Sequence, residues 1–159
     1  MEELLKELEE AKRKIADIEK KIEEKKTETG RWKPRKADNY WFISGDAQVT
    51  KDLWTNHFID SMRYKIGNCY KTESEANFAI EKLKVIAELK EYEEPKSRAW
   101  DGIISHYFIY YDYNREKIAI SYNDYYKGGI YFESEEKAKQ AIDAIGEDRI
   151  KKYYLEVEE

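Results

Sequence analysis

Two segments of this chain repeat each other, and that repeat limits the folds open to it more than any other feature. CYKTESEANFAIEKL (69–83) and YFESEEKAKQAIDAI (131–145) align without a gap at an offset of 62 residues. Glu73, Ala76, Ala79 and Ile80 recur as Glu135, Ala138, Ala141 and Ile142, while Tyr70 answers Phe132 and Leu83 answers Ile145. Each copy ends a strand-like run, places Thr72 or Ser134 where a helix N-cap is favoured, and then opens an amphipathic helical pattern. Thr72 and Glu75 match a capping box. The second copy has Lys137 at that place, but Glu135 and Glu136 still suit the positive end of a helix dipole.

Alternating apolar patterns precede each helix. YWFIS (40–44), AQVTKDLW (47–54) and, after a longer excursion, GNCYKT (67–72) precede the first, with Gly45-Asp46 as a turn. HYFIYYDY (106–113), EKIAISY (116–122) and GGIYFES (128–134) precede the second. Each half therefore predicts a three-stranded antiparallel meander followed by a helix. The expected class is α+β, an N-terminal coiled-coil-like helix followed by two repeated antiparallel βββα units whose helices cover one face of sheet. The boundaries are a helix over 1–28, a linker over 29–38, the first unit over 39–92, an acidic connector over 93–102 and the second unit over 103–159. Pro95 stops the first helix, Gly146 ends the second, and EDRIKKYY adds a last short one.

The N-terminal segment follows a different period. Leu4, Leu8, Ala11, Ile15, Ile18 and Ile22 are spaced 4, 3, 4, 3, 4, which is a heptad seam with Leu8, Ile15 and Ile22 at a and Leu4, Ala11 and Ile18 at d. Self-association through this seam is the expectation; a single amphipathic helix folded back on the body is the alternative. TETGRWKPRKADN (27–39) breaks the pattern at Gly30 and Pro34 and carries Trp32 among basic residues. Packing of that Trp on the body is the ordinary outcome for such a linker.

Charge separates the two regions. Residues 1–36 hold 12 Lys/Arg and 10 Asp/Glu, whereas the remainder holds 17 against 24, a balance of −7. A surface of that sign disfavours nonspecific binding to a phosphate backbone. Forty-one per cent of residues are hydrophobic and 14 are Tyr, so apolar burial leans on rings that keep a polar tip. One cysteine, Cys69, forbids an intramolecular disulfide and fits a reducing compartment. The run of about 18 apolar residues that a membrane helix needs does not occur, and the expectation is a soluble, cytoplasmic protein without a membrane partner.

The chemistry-bearing residues do not assemble into a catalytic signature. His57 lies three residues before Asp60, but a zinc site needs three or four ligands. His106 opens a strand with no partner evident, and Cys69 sits in an aromatic run without an evident base. Phosphate loops and dinucleotide fingerprints do not occur. The chain is expected to be non-enzymatic, with no cofactor and no metal. In SHYFIYYDYN (105–114), Tyr107, Ile109 and Tyr111 share one strand face and Phe108, Tyr110 and Asp112 the other. One face must meet the helices, which leaves the other, with Tyr110, for a partner. Exposed aromatic and acidic side chains at Tyr110, Tyr125, Tyr126, Glu133, Glu135 and Glu136 are the candidate contacts, Tyr being a common interface anchor.

WTNHFIDSMRYKIGNCYKTESEA (54–76), GGIYFESEEKA (128–138) and AIGEDRIKKY (144–153) together resemble small phage and prophage proteins of Gram-positive bacteria. The resemblance covers residues 32–155, including the W-K-P of the linker. It implies a non-catalytic anti-defence inhibitor, such as an anti-CRISPR protein, that occupies a surface on a host nuclease or other nucleic-acid enzyme. Two alternatives stand beside it: a single-stranded nucleic-acid binder using an aromatic sheet face, and a scaffold whose coiled coil is its whole purpose.

Overall fold

The structure is a computed structural model that describes residues 2–28 and 30–158, with side chains for 6–22 and 30–158. It is α+β, with an N-terminal helix and two small antiparallel sheets of two strands each. Internal contacts divide the chain into two compact units, 1–73 and 74–159.

The first unit begins with α1 (Glu2–Glu28). At 1.5 Å per residue its 27 residues extend about 40 Å. The linker follows, and its Trp32 is partly buried against the core of this unit. Strands β1 (Asn39–Ile43) and β2 (Val49–Leu53) pair antiparallel, Asn39 opposite Leu53 and Ile43 opposite Val49. The turn at 45–47 leaves Ala47 at φ 61°, closed by the Ser44 and Gln48 main chains. The buried core beneath is small and aromatic: Tyr40, Phe42, Trp54 and Cys69. Trp54 meets Tyr40 edge-on at 5.7 Å, the geometry that ring quadrupoles favour. Helix α2 (Phe58–Lys65) crosses the excursion between β2 and the segment at Cys69.

In the second unit, α3 (Glu73–Lys90, of which Glu73 alone belongs to the first) and α4 (Glu135–Ile145) cover the hairpin β3 (His106–Asp112) and β4 (Lys117–Asn123). Val85 and Leu89 of α3, Ile109 of β3, and Ala138, Ala141 and Ile145 of α4 form one aliphatic cluster with Phe132 and Ile150. The repeat pair Ala76 and Ala138 is fully buried in both helices, since an alanine lets a helix approach its neighbour closely. Ser134 caps α4 by accepting from the Lys137 N–H at 3.1 Å, and Gly146 ends it at φ 99°, as their residue types predict. The chain closes through α5 (Glu147–Arg149) and a π-helical turn at Ile150–Tyr154. Arg149 grips Glu88 of α3 with two parallel hydrogen bonds of 2.8 Å.

The expected third strand does not form in either half. Each remains a two-stranded hairpin, touched by the later segment at one antiparallel bridge, Trp41 to Tyr70 and Tyr107 to Phe132. The reason is local. Gly67 precedes the first bridge at φ 83°, and Gly128 and Gly129 precede the second at 85° and 102°. Helices begin at Glu73 and Glu135, within three residues on the other side. Five residues lie between each left-handed glycine and the helix start, 68–72 and 130–134, and in each stretch one residue pairs with the hairpin before the chain turns into the helix. That the two bridging residues, Tyr70 and Phe132, occupy equivalent places in the sequence repeat is nevertheless preserved.

Candidate partner-binding surfaces

Helix α2 is built inside out. His57 is its N-cap, and Asp60 at the third helical position accepts from the His57 N–H at 3.1 Å, completing a capping box. The histidine and aspartate that share a zinc-like spacing therefore serve a helix start. The same carboxylate faces inward, only 4% exposed, and takes three further hydrogen bonds: from Thr55 N–H at 2.9 Å, Thr55 Oγ1 at 3.0 Å and Tyr40 Oη at 2.9 Å. Burial opposes its ionisation, but the donors converging from Thr55, Tyr40 and His57 outweigh burial and hold it below the usual 3.8. Burial is also the main reason the Tyr40 phenol is pushed up to about 12. One turn on, Arg63 Nη1 donates to Tyr40 Oη at 2.7 Å and to Asp52 Oδ2 at 2.6 Å, with its guanidinium 3.5 Å over the Phe42 ring.

With polar groups anchoring the inner side, the apolar residues of α2 other than Tyr64, together with its C-cap Ile66, face solvent. Phe58 is 72% exposed, Ile59 51%, Met62 41% and Ile66 74%. At 100° per residue these four fall within one arc of about 100°, so they form a continuous stripe rather than scattered residues. Sequence reading missed α2 altogether. The signal was present as the i, i+1, i+4, i+8 spacing of these four, but that pattern ordinarily marks a core-facing side.

A second surface, in the second unit, is aromatic. His106 is fully buried, 2.5 Å from Glu94 Oε1 through Nδ1 and 3.0 Å from the Ala99 carbonyl through Nε2. Both ring nitrogens face acceptors, the Glu94 carboxylate on one side and the Ala99 carbonyl on the other. Arg98 adds an ion pair to Glu94 at 3.3 Å. His106 thus has a partner after all, twelve residues away across a Pro-containing loop where no local spacing could announce it. Trp100 lies flat on the imidazole at 3.5 Å and meets Tyr126 edge-on at 5.3 Å. Tyr131 touches both Trp100 and Phe108, and Phe108 touches Tyr110 at 6.0 Å.

These contacts bring candidate residues Tyr110 and Tyr126 into one aromatic chain, Tyr110 half-buried and Tyr126 63% exposed. Tyr125 is exposed beside them in sequence with Lys127 Nζ 4.8 Å over its ring. The opposite strand face packs inward as its alternation predicts, with Ile109 buried and Tyr107 against the helices. Glu133, Glu135 and Glu136 are exposed. Glu135 pairs with Lys139 of the next turn at 2.6 Å, and the Glu133 carbonyl accepts from Arg98 at 3.2 Å.

On α1 the seam residues Leu8, Ala11, Ile15, Ile18 and Ile22 are all exposed; Leu4 lies outside the residues whose side chains are described. The recess where α1 borders the linker is lined by Ala16, Glu19, Lys20 and Arg35 and by none of the seam residues. Cys69 is buried and its thiol is pushed up to about 11, chiefly by that burial, which keeps it unreactive at neutral pH. Among the described residues no three His, Cys, Asp or Glu side chains converge as a metal site, and no helix is long and apolar enough to cross a membrane. No protein-family model matches the chain, and no curated protein or solved structure shows significant similarity to it.

Proposed function

We propose that this chain is a protein-binding module, acting by occupying a surface of its partner rather than by chemistry. The observation that carries the reading is the outward apolar stripe on α2. A four-residue hydrophobic arc held in place by a buried carboxylate and an arginine has no folding duty to perform. Its cost in exposed apolar surface is met when a partner covers it. The aromatic chain ending in Trp100 and Tyr126 offers rigid anchors of the kind that dominate interface energy. The −7 balance of residues 37–159 suits a basic partner, because complementary charge raises the encounter rate and turns away wrong surfaces. Together with the resemblance to phage and prophage proteins, this points to the nucleic-acid groove of a host defence nuclease. In this reading α1 supplies self-association through its seam.

The test is retention of host proteins on the immobilised chain, compared with a Phe58→Asp/Ile66→Asp variant. Both side chains are over 70% exposed, so the variant should fold unchanged. A nucleic-acid enzyme retained by the wild type, released by salt and lost in the variant supports the proposal. Equal retention by both proteins, or no such enzyme, overturns it.

A second reading rests on Tyr125, Tyr126 and Trp100 standing exposed with Lys127 among them, an arrangement on which single-stranded bases can stack. It requires binding of labelled oligonucleotides at low salt that is lost in Tyr126→Ala. Absence of binding there removes it.

A further inference from the structure

The described residues of the α1 seam are exposed, and the flanking charges specify what covers them. We infer that α1 pairs with α1 of a second copy as a parallel, in-register, two-stranded coiled coil. The inference rests on the self-association reading above and adds orientation and stoichiometry to it.

In the heptad frame with Leu8 at a, position g is held by Glu7, Lys14 and Lys21, and position e by Lys12, Glu19 and Lys26. In a parallel pair each g side chain meets the e side chain five residues on in its partner. Glu7 then faces Lys12 and Lys14 faces Glu19. By two-fold symmetry that makes four attractive contacts beside the described seam. Lys21 would face Lys26, a like-charge pair, but it falls at the end of the seam, where Lys25 already interrupts the d position.

The antiparallel arrangement is poorer in charge. Full overlap places Leu8 against Ile18, so Glu7 meets Lys21 of the partner twice, but Lys14 meets Lys14 and Lys12 meets Lys12 at the centre. Two attractive contacts stand against two repulsive ones. Packing alone would accept either order, since the antiparallel pair sets the small Ala11 against Ile15. Charge decides between them. Ala11 also limits strand number, because an all-alanine layer leaves a void that widens as more helices surround the axis.

Exposure agrees with this assignment. Leu8, Ile15, Ile18 and Ile22 are each about half exposed, and none of them lines the recess toward the linker, which Glu19 borders from position e. A helix whose described apolar stripe stands exposed gains little stability from its own sequence, and a second copy is the partner whose charges match it at two of the three g–e positions.

Charge reversal in the full-length chain tests the orientation, with the dissociation constant read by sedimentation equilibrium. Glu7→Lys should weaken the dimer by about 5- to 10-fold, as both symmetric pairs become repulsive. Adding Lys12→Glu should restore wild-type affinity, while adding Lys21→Glu should not. Rescue by Lys21→Glu in place of Lys12→Glu would mean an antiparallel dimer and overturn the inference while leaving self-association intact. A wild-type chain that stays monomeric at high concentration overturns both. A trimer overturns the strand number alone.

Discussion

Helices α2 and α4 make the same amphipathic offer and spend it in opposite directions. α4 buries Ala138, Ala141 and Ile145 and presents Glu135 and Glu136 to water, as a helix on a sheet ordinarily does. α2 buries Asp60, half-buries Arg63 and Tyr64, and presents Phe58, Ile59, Met62 and Ile66. The cores they serve explain the difference. α4 sits on an aliphatic cluster that accepts methyl groups on every side. α2 sits on an aromatic cluster whose Tyr40 phenol must find a partner when buried, and Asp60 with Arg63 supplies it. The composition of the core thus decides which way a helix's hydrophobic stripe faces.

Removing the anchor of each helix should break the comparison most sharply. Asp60→Ala strands the Tyr40 hydroxyl and the Thr55 and His57 N–H groups and should cost the first unit about 3 kcal/mol. Ile145→Ala should cost the second unit a similar ~3 kcal/mol, by cavity formation instead. Hydrogen exchange resolved by segment checks both: each loss of protection should stay within its own unit. If Asp60→Ala leaves protection around residues 40–64 unchanged, α2 is not held by its polar side.

Acid should separate the two kinds of anchor. The Asp60 carboxyl is held below its ordinary value in the folded chain, so its stabilising contribution is complete above the unfolded pKa and is lost as pH falls through the folded one. The difference in protection between wild type and Asp60→Asn should therefore hold at neutral pH and shrink as pH falls below about 4. The penalty for Ile145→Ala has no titrating group in it and should hold its size over the same range. A constant Asp60→Asn difference would show that charge is not what holds the helix.

The smallest expected effect is the most specific to α2. Phe58→Ser removes a large side chain that touches water, and stability should change by no more than about 0.5 kcal/mol. A large apolar-to-polar change that destabilises by several times that amount, followed by thermal unfolding, would place Phe58 in a packed contact and refute the outward stripe.

Much of the scaffold was legible in residue order. The alternation of YWFIS and HYFIYYDY, the Ser134 cap and the Gly146 stop each express a local preference that the tertiary structure leaves intact. GNCYKT and GGIYFES read equally well as strands, yet each pairs at one residue, because flanking glycines and helix starts compete for the same backbone. α2 was hidden for another reason: apolar spacing is informative only when the inside is apolar. The His106–Glu94 pair could not be seen either, since it is made by a loop returning to the sheet and not by any spacing along the chain. Of the candidate contacts, Tyr110 and Tyr126 converge through Phe108 and Tyr131, which sequence alone had assigned to separate strands.

The clasp of buried Asp60 and half-buried Arg63 on the Tyr40 hydroxyl also bears on how such a surface can change over time. Because it fixes α2 without help from positions 58, 59, 62 and 66, those four sites can vary together while the fold stays put. A chain in competition with a changing partner could rewrite its recognition there in a few substitutions, with no compensating change in the core. The same four positions make a compact library for redirecting the helix to a new target.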